Sequence, residues 1–104
     1  MVLAIDIGNT NIVIGCIQNK ECLFVERLST VHQKTEIEYA IDIKTVLDIY
    51  HIDVEQIEGG IISSVVPQVT NAVKLALEKI LKKNVMVVGA GVKTGLNIRM
   101  DNPS

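Results

Sequence analysis

Six residues near the start of the chain, Asp6-Ile7-Gly8-Asn9-Thr10-Asn11, concentrate the residue types that could do chemistry. They close an apolar run, Val2-Leu3-Ala4-Ile5, that is too uniform to alternate and so reads as a strand buried on both faces. Gly8 and Asn9 break that strand, both being residue types that tolerate positive φ. Ile12-Val13-Ile14 resumes the apolar pattern at once, which makes the segment a tight β-turn-β. Such a turn shows backbone N–H groups and the side chains of Asn9, Thr10 and Asn11 to whatever lies above it. That array suits phosphate oxygens, which take many donors in a small space. A carboxylate at Asp6 would repel a phosphate unless a cation lay between them. A hard cation such as Mg²⁺, bound directly or through its water shell, resolves the conflict. The plainer reading is a hairpin turn fixed by Asx hydrogen bonds, and the motif alone does not separate the two.

The rest of the chain supplies the elements that must hold this turn. Residues 2–7 and 11–17 form strands, Gln18-Asn19-Lys20-Glu21 a polar turn, and Cys22 to Leu28 a third strand, giving an antiparallel meander. Thr35 followed by Glu38 is a capping-box signature. It opens a helix to Tyr50 whose apolar positions are Ile37, Ala40, Ile41, Leu47 and Tyr50. After a connector, Gly60 to Val65 is a β-rich run. Pro67 suits the first turn of a second helix, whose stripe is Val69, Ala72, Val73, Ala76, Leu77, Ile80 and Leu81. Lys79, Lys82 and Lys83 fall in its last turn, where cations favour the helix dipole, and Asn84 can end it. Val85 to Val88 is a fifth strand, and Gly89 to Ser104 is Gly-rich and polar. The order β-β-β-α-β-α-β predicts one α/β domain over residues 1–104, a mixed five-stranded sheet with right-handed parallel crossovers.

The bulk composition agrees. The chain has 104 residues, 48% hydrophobic and 21% charged, enough for one small globular domain. Phe24, Tyr39 and Tyr50 are its three aromatics, so the core must be aliphatic. A net charge of −2 with no broad basic patch argues against nucleic-acid binding. No apolar run approaches the roughly 18 residues of a membrane span, and no signal peptide precedes the first strand, so a cytoplasmic location is expected. Cys16 and Cys22 flank the polar turn; a disulfide is geometrically open to them, but in a reducing compartment they serve as small buried hydrophobes.

With this order in view, the chain resembles the N-terminal part of a type III pantothenate kinase, built on the ribonuclease-H-like half-domain of the actin, sugar kinase and Hsp70 superfamily. Four stretches carry the likeness: Asp6 to Asn11; Arg27-Leu28-Ser29-Thr30; Ser63-Ser64-Val65-Val66-Pro67; and Gly91-Val92-Lys93-Thr94-Gly95-Leu96 with Asp101-Asn102-Pro103. The resemblance implies transfer of the ATP γ-phosphoryl group to pantothenate, the first step towards coenzyme A. It implies ATP contacts at Asp6, Ile7, Gly8, Asn9, Thr10, Asn11, Ile12 and Val13, and substrate contacts at Asn9 and Met100. It further implies Mg²⁺ at Asp6, a monovalent cation (K⁺ or NH₄⁺), and a homodimer. Met100 departs from the aromatic residue, commonly Tyr, of the family; Met fills the same apolar gap without a hydroxyl. The family's general base is the Asp of a Gly-x-Asp-Arg motif, expected beyond Ser104, so the 104-residue chain is expected to be inactive alone. Another phosphotransferase of the superfamily, or a non-catalytic half-domain that self-associates through Ile61, Ile62, Val65 and Val66 or through Ile98 to Met100, are the alternatives.

The remaining polar residues read as structural. Ser63 and Ser64 have no His or acid beside them and serve the helix start rather than nucleophilic attack. His32 and His51 fall in connectors without ligand spacing and are expected to be solvated. Lys93 is a loop lysine, and Asp101 an Asx-turn residue before Pro103.

Overall fold

The computed structural model describes residues 1–89. The expectations for Gly91 to Leu96, Lys93, Met100 and Asp101 to Pro103 lie outside the described residues. The strands are β1 (Val2–Ile7), β2 (Asn11–Gln18), β3 (Glu21–Ser29), β4 (Gly59–Ser64) and β5 (Val85–Val88). They form one mixed sheet in the order β3-β2-β1-β4-β5. β1 is central, antiparallel to β2 and parallel to β4. Its Leu3, Ala4 and Ile5 are fully buried, as the unalternating run requires.

The β2–β3 hairpin turns on Asn19 (φ 52°) and Lys20 (φ 65°), with Gln18 paired to Glu21. Two positive-φ residues in a two-residue loop make a type I′ turn, whose twist matches that of the strands. A β-bulge lies between Cys16 and Ile17: Cys16 pairs with Phe24 and Ile17 with Cys22, leaving Leu23 as the extra residue. Both cysteines are free thiols, Cys16 buried in the core, where desolvation pushes its thiol pKa up.

Both helices, α1 (Glu36–Ile49) and α2 (Pro67–Leu81), pack on one face of the sheet. Leu3, Ile5, Ile7, Ile12, Ile14 and Ile62 meet them there. The other face carries a smaller cluster, Ala4 and Val13 with Ile17, Cys22, Val25 and Ile61. Of the apolar residues expected at an uncovered edge, Ile62 and Val66 are instead buried, while Val65 is 53% exposed. Further along, Met86 and Val87 on β5 are exposed.

α1 begins as the sequence indicates. Thr35 is the N-cap, and the capping box with Glu38 is complete. Its buried face, however, is Tyr39, Ala40, Ile43, Val46 and Leu47. Ile37, Ile41 and Tyr50, expected on that face, are exposed. Apolar residues fall on most sides of this helix, so periodicity could not choose. What chooses is Tyr39, whose ring enters the core while its hydroxyl bonds the backbone of Val31. Tyr50 instead stacks on Phe24 with ring centroids 4.4 Å apart and donates to Glu26 Oε1 at 2.7 Å.

α2 has Pro67 in its first turn and the expected stripe inward. Of the three lysines placed in its last turn only Lys79 is there. Lys82 is the C-cap, in the left-handed conformation at φ 56°. Lys83 reaches across to the carbonyls of Ile57 (2.6 Å) and Glu55 (3.3 Å), at a short 3₁₀ turn, Val54–Gln56, inside what the sequence marked as a plain connector. Among the described residues no helix is long and apolar enough to cross a membrane.

Two outcomes follow. Lys20→Gly should stabilise the domain by about 1 kcal/mol by relieving a left-handed non-glycine residue, read as a rise in melting temperature of roughly 4–8 °C. The Glu38 carboxyl is held below its ordinary value of 4.5, chiefly by its bond to the Thr35 amide. The unfolded chain therefore binds more protons than the folded one in the window just below that value. The capping box contributes fully above it and is lost as pH falls through the lowered folded value. Acid unfolding of Glu38→Gln should lack that part of the slope.

Candidate functional site

The candidate site is the turn at the carboxyl end of β1. Ile7, paired with Ile12, is the last inward anchor, 2% exposed. The Gly8 amide then donates to the Asn11 carbonyl at 2.9 Å and closes the turn. Neither Gly8 nor Asn9 uses positive φ, contrary to what their types invite. Glycine instead eases a close approach: a Cβ at Gly8 would sit 3.2 Å from the Asn11 carbonyl oxygen, a tight contact. Asn9, Thr10 and Asn11 are exposed, so their side chains face solvent above the sheet end.

Two neighbouring strand ends clasp this turn. Just past β3, Thr30 donates through its amide to the Thr10 carbonyl at 2.9 Å and through its hydroxyl to the Gly8 carbonyl at 2.8 Å. Just past β4, the Val65 amide donates to the Ile7 carbonyl at 3.1 Å. Thr30 has no role implied by the Arg27 to Thr30 likeness; its signal in the sequence is a hydroxyl one residue beyond the strand that pairs with the turn.

Asp6 lies between Val13 and Ser63 in register, on the sheet face opposite the helices, half-buried at the rim of the turn. The side chains of Ile12 and Val13 are buried on opposite faces. Any contact they make with a ligand runs through the backbone. Ser63 is buried and Ser64 half-buried. The Ser64 hydroxyl accepts from the Val66 amide at 2.9 Å and so shapes the approach to α2, a structural role as expected. Val66, not a serine, is the N-cap. His32 and His51 are both exposed.

The sheet topology explains why this corner is open. From β1 the chain builds outward through β2 and β3 on one side and through β4 and β5 on the other. The gap between β1 and β4 is thus a switch point, and in sheets with parallel strands ligands sit outside the carboxyl ends there. A crevice of about 340 Å³ lies beside it at the ends of β4 and β5, lined by Ser64, Pro67, Thr70, Asn71, Lys74 and Val88. Among the described residues no cluster of three His, Cys, Asp or Glu could hold a metal by itself. Asp6 fits the case of a single carboxylate, in which Mg²⁺ takes its other ligands from phosphates and water.

A family model for type III pantothenate kinase matches residues 2–104. The chain belongs to the type III pantothenate kinase family. A type III pantothenate kinase of Halalkalibacterium halodurans is 42% identical over 103 residues, 99% of this chain and 41% of the relative. The chain therefore spans about two fifths of the length of that curated relative. Among solved structures, a candidate N-acetylglucosamine kinase of Porphyromonas gingivalis superposes with a TM-score of 0.64 at 18% identity, over 86% of this chain and 34% of that one. A ROK hexokinase of Thermus thermophilus gives 0.62 at 16% identity, over 85% and 33%. At such identities these two show the fold alone: the sugar-kinase, ribonuclease-H-like sheet expected from the order of elements.

For the turn itself, Gly8→Ala should cost about 1 kcal/mol, because the incoming Cβ presses on a carbonyl held by the bond that closes the turn. Exchange of the residue-8 amide should quicken while exchange in α2 changes little.

Proposed function

We propose that this chain forms the phosphate-binding wall of a pantothenate kinase, which transfers the γ-phosphoryl group of ATP to the primary hydroxyl of pantothenate on the route to coenzyme A. Family membership supports the substrates. The observation that carries the reading is the turn Gly8 to Asn11, fixed from two strands at the switch point and placed beside Asp6. Phosphoryl transfer asks a protein for charge neutralisation and alignment more than for covalent help, and this corner offers both. The exposed Asn9, Thr10 and Asn11 supply donors, and Asp6 would hold Mg²⁺. When bound, that ion neutralises phosphate charge which the carboxylate alone would repel.

Ile7, Ile12 and Val13 anchor the turn from the core and reach ATP through main-chain groups. Asn9 and Met100 are the proposed pantothenate contacts. A monovalent cation, K⁺ or NH₄⁺, and a homodimer complete the proposal, with residues 1–104 as the N-terminal domain. The general base is assigned to a Gly-x-Asp-Arg motif, which these 104 residues do not contain.

Titration with ATP and Mg²⁺, followed by amide chemical shifts, tests the reading. Shifts should centre on Gly8 to Asn11, with millimolar dissociation, about −4 kcal/mol. Asp6→Asn should remove the Mg²⁺ dependence and weaken binding roughly tenfold, about 1.4 kcal/mol. Shifts confined to the helices, or an Asp6→Asn variant that responds to Mg²⁺ as the parent does, would refute the site.

A further inference from the structure

Thr30 does more than follow β3. It is bonded twice to the turn, once through its amide and once through its hydroxyl, to the carbonyls of Thr10 and Gly8. The next residue, Val31, is itself held at both its polar atoms. The Tyr39 hydroxyl donates to its carbonyl at 2.7 Å and accepts from its amide at 3.0 Å. Tyr39 is 1% exposed, in the first turns of α1, just past the completed capping box. Lys34 lies 5.6 Å from its ring centroid and is paired with Asp42 of the same helix. A continuous path of bonds therefore runs from the packed start of α1 through Tyr39, Val31 and Thr30 to the turn.

We infer that Thr30, braced by Tyr39, is a positioning residue that keeps the turn in its phosphate-accepting shape. The inference rests on the phosphate-site reading above. The reason lies in peptide geometry. The described chain contains no cis peptide bond. In a trans peptide the carbonyl of one residue and the amide of the next point in opposite directions. Holding the Gly8 carbonyl on Thr30 therefore aims the Asn9 N–H away from β3. Without the hydroxyl, that peptide plane is free to rotate and present the carbonyl, with its negative end, where the N–H had been. A phosphate would then meet repulsion in place of a donor. Gly8 has no side chain to resist such a rotation, so the restraint must come from outside the turn. Thr30 is half-buried and does not itself need to touch a phosphate to act this way.

The test uses the full chain, Mg-ATP as the probe, and the variants Thr30→Val, Thr30→Ser and Tyr39→Phe. Val keeps the branched shape and removes the donor. Thr30→Val should bind Mg-ATP about five- to tenfold more weakly, the effect of one lost hydrogen bond. The Gly8 amide should exchange faster without ligand, and the shifts of α2 should stay in place. Thr30→Ser should restore both affinity and protection, which a purely space-filling role would not allow. Tyr39→Phe keeps Thr30 but frees Val31, and should reproduce the effect in weaker form. Should Thr30→Val fail to fold, the comparison of Tyr39→Phe with the parent decides. Parent-like affinity in the folded Thr30→Val chain, or in Tyr39→Phe if that variant decides, overturns the inference and leaves the phosphate site standing. If the parent itself shows no shift at Gly8 to Asn11, the phosphate site fails and the inference with it.

Discussion

Everything in this domain is arranged around β1, a strand that must satisfy two different partners at once. Its antiparallel ladder with β2 is closed by a turn only a few residues long, whereas its parallel ladder with β4 requires the chain to leave the sheet, cross α1 and return. The short connection fixes where the turn lies, and the long one leaves the space beside it open. The mixed pairing is what gives Gly8 to Asn11 a free approach and brings Ser63 and Val65 alongside.

Much of this was legible in the sequence, and the reasons are local. Strand limits followed from apolar runs broken by Gly, Asn and polar clusters, and both helix starts from chemistry a few residues wide: Thr35 with Glu38, and Pro67. What was not legible depended on partners far along the chain. The inward face of α1 could not be read from a helix with apolar residues on most of its circumference; it is set by a Tyr39 hydroxyl that needs the Val31 backbone. Lys83 belonged to a helix end by proximity in sequence but is used by carbonyls 26 and 28 residues away.

The candidate site divides the same way. The donor-rich turn and the acidic residue beside it were visible as types in a short motif. The bonds that hold the turn come from Thr30 and Val65, and no local pattern joins either to residue 8. Glycine at that position looked like a device for unusual φ, yet its φ is ordinary and what it eases is the close approach of a carbonyl oxygen. The same residue type answers two different constraints, and only the packed neighbourhood tells them apart.

The bulge at Cys16/Ile17 has an effect on the chain's redox behaviour. Side chains alternate across a sheet, so an unbulged hairpin pairing Cys16 with Phe24 would place Cys22 on the same face as Cys16, one step diagonally along the neighbouring strand. The extra residue, Leu23, reverses the alternation beyond that point, and Cys22 joins the cluster on the far side of the sheet while Cys16 stays beneath the helices. A single residue of strand length thus keeps two thiols on opposite sides of a sheet. With the sulfurs facing opposite ways, the hairpin holds two separate thiols rather than a neighbouring pair.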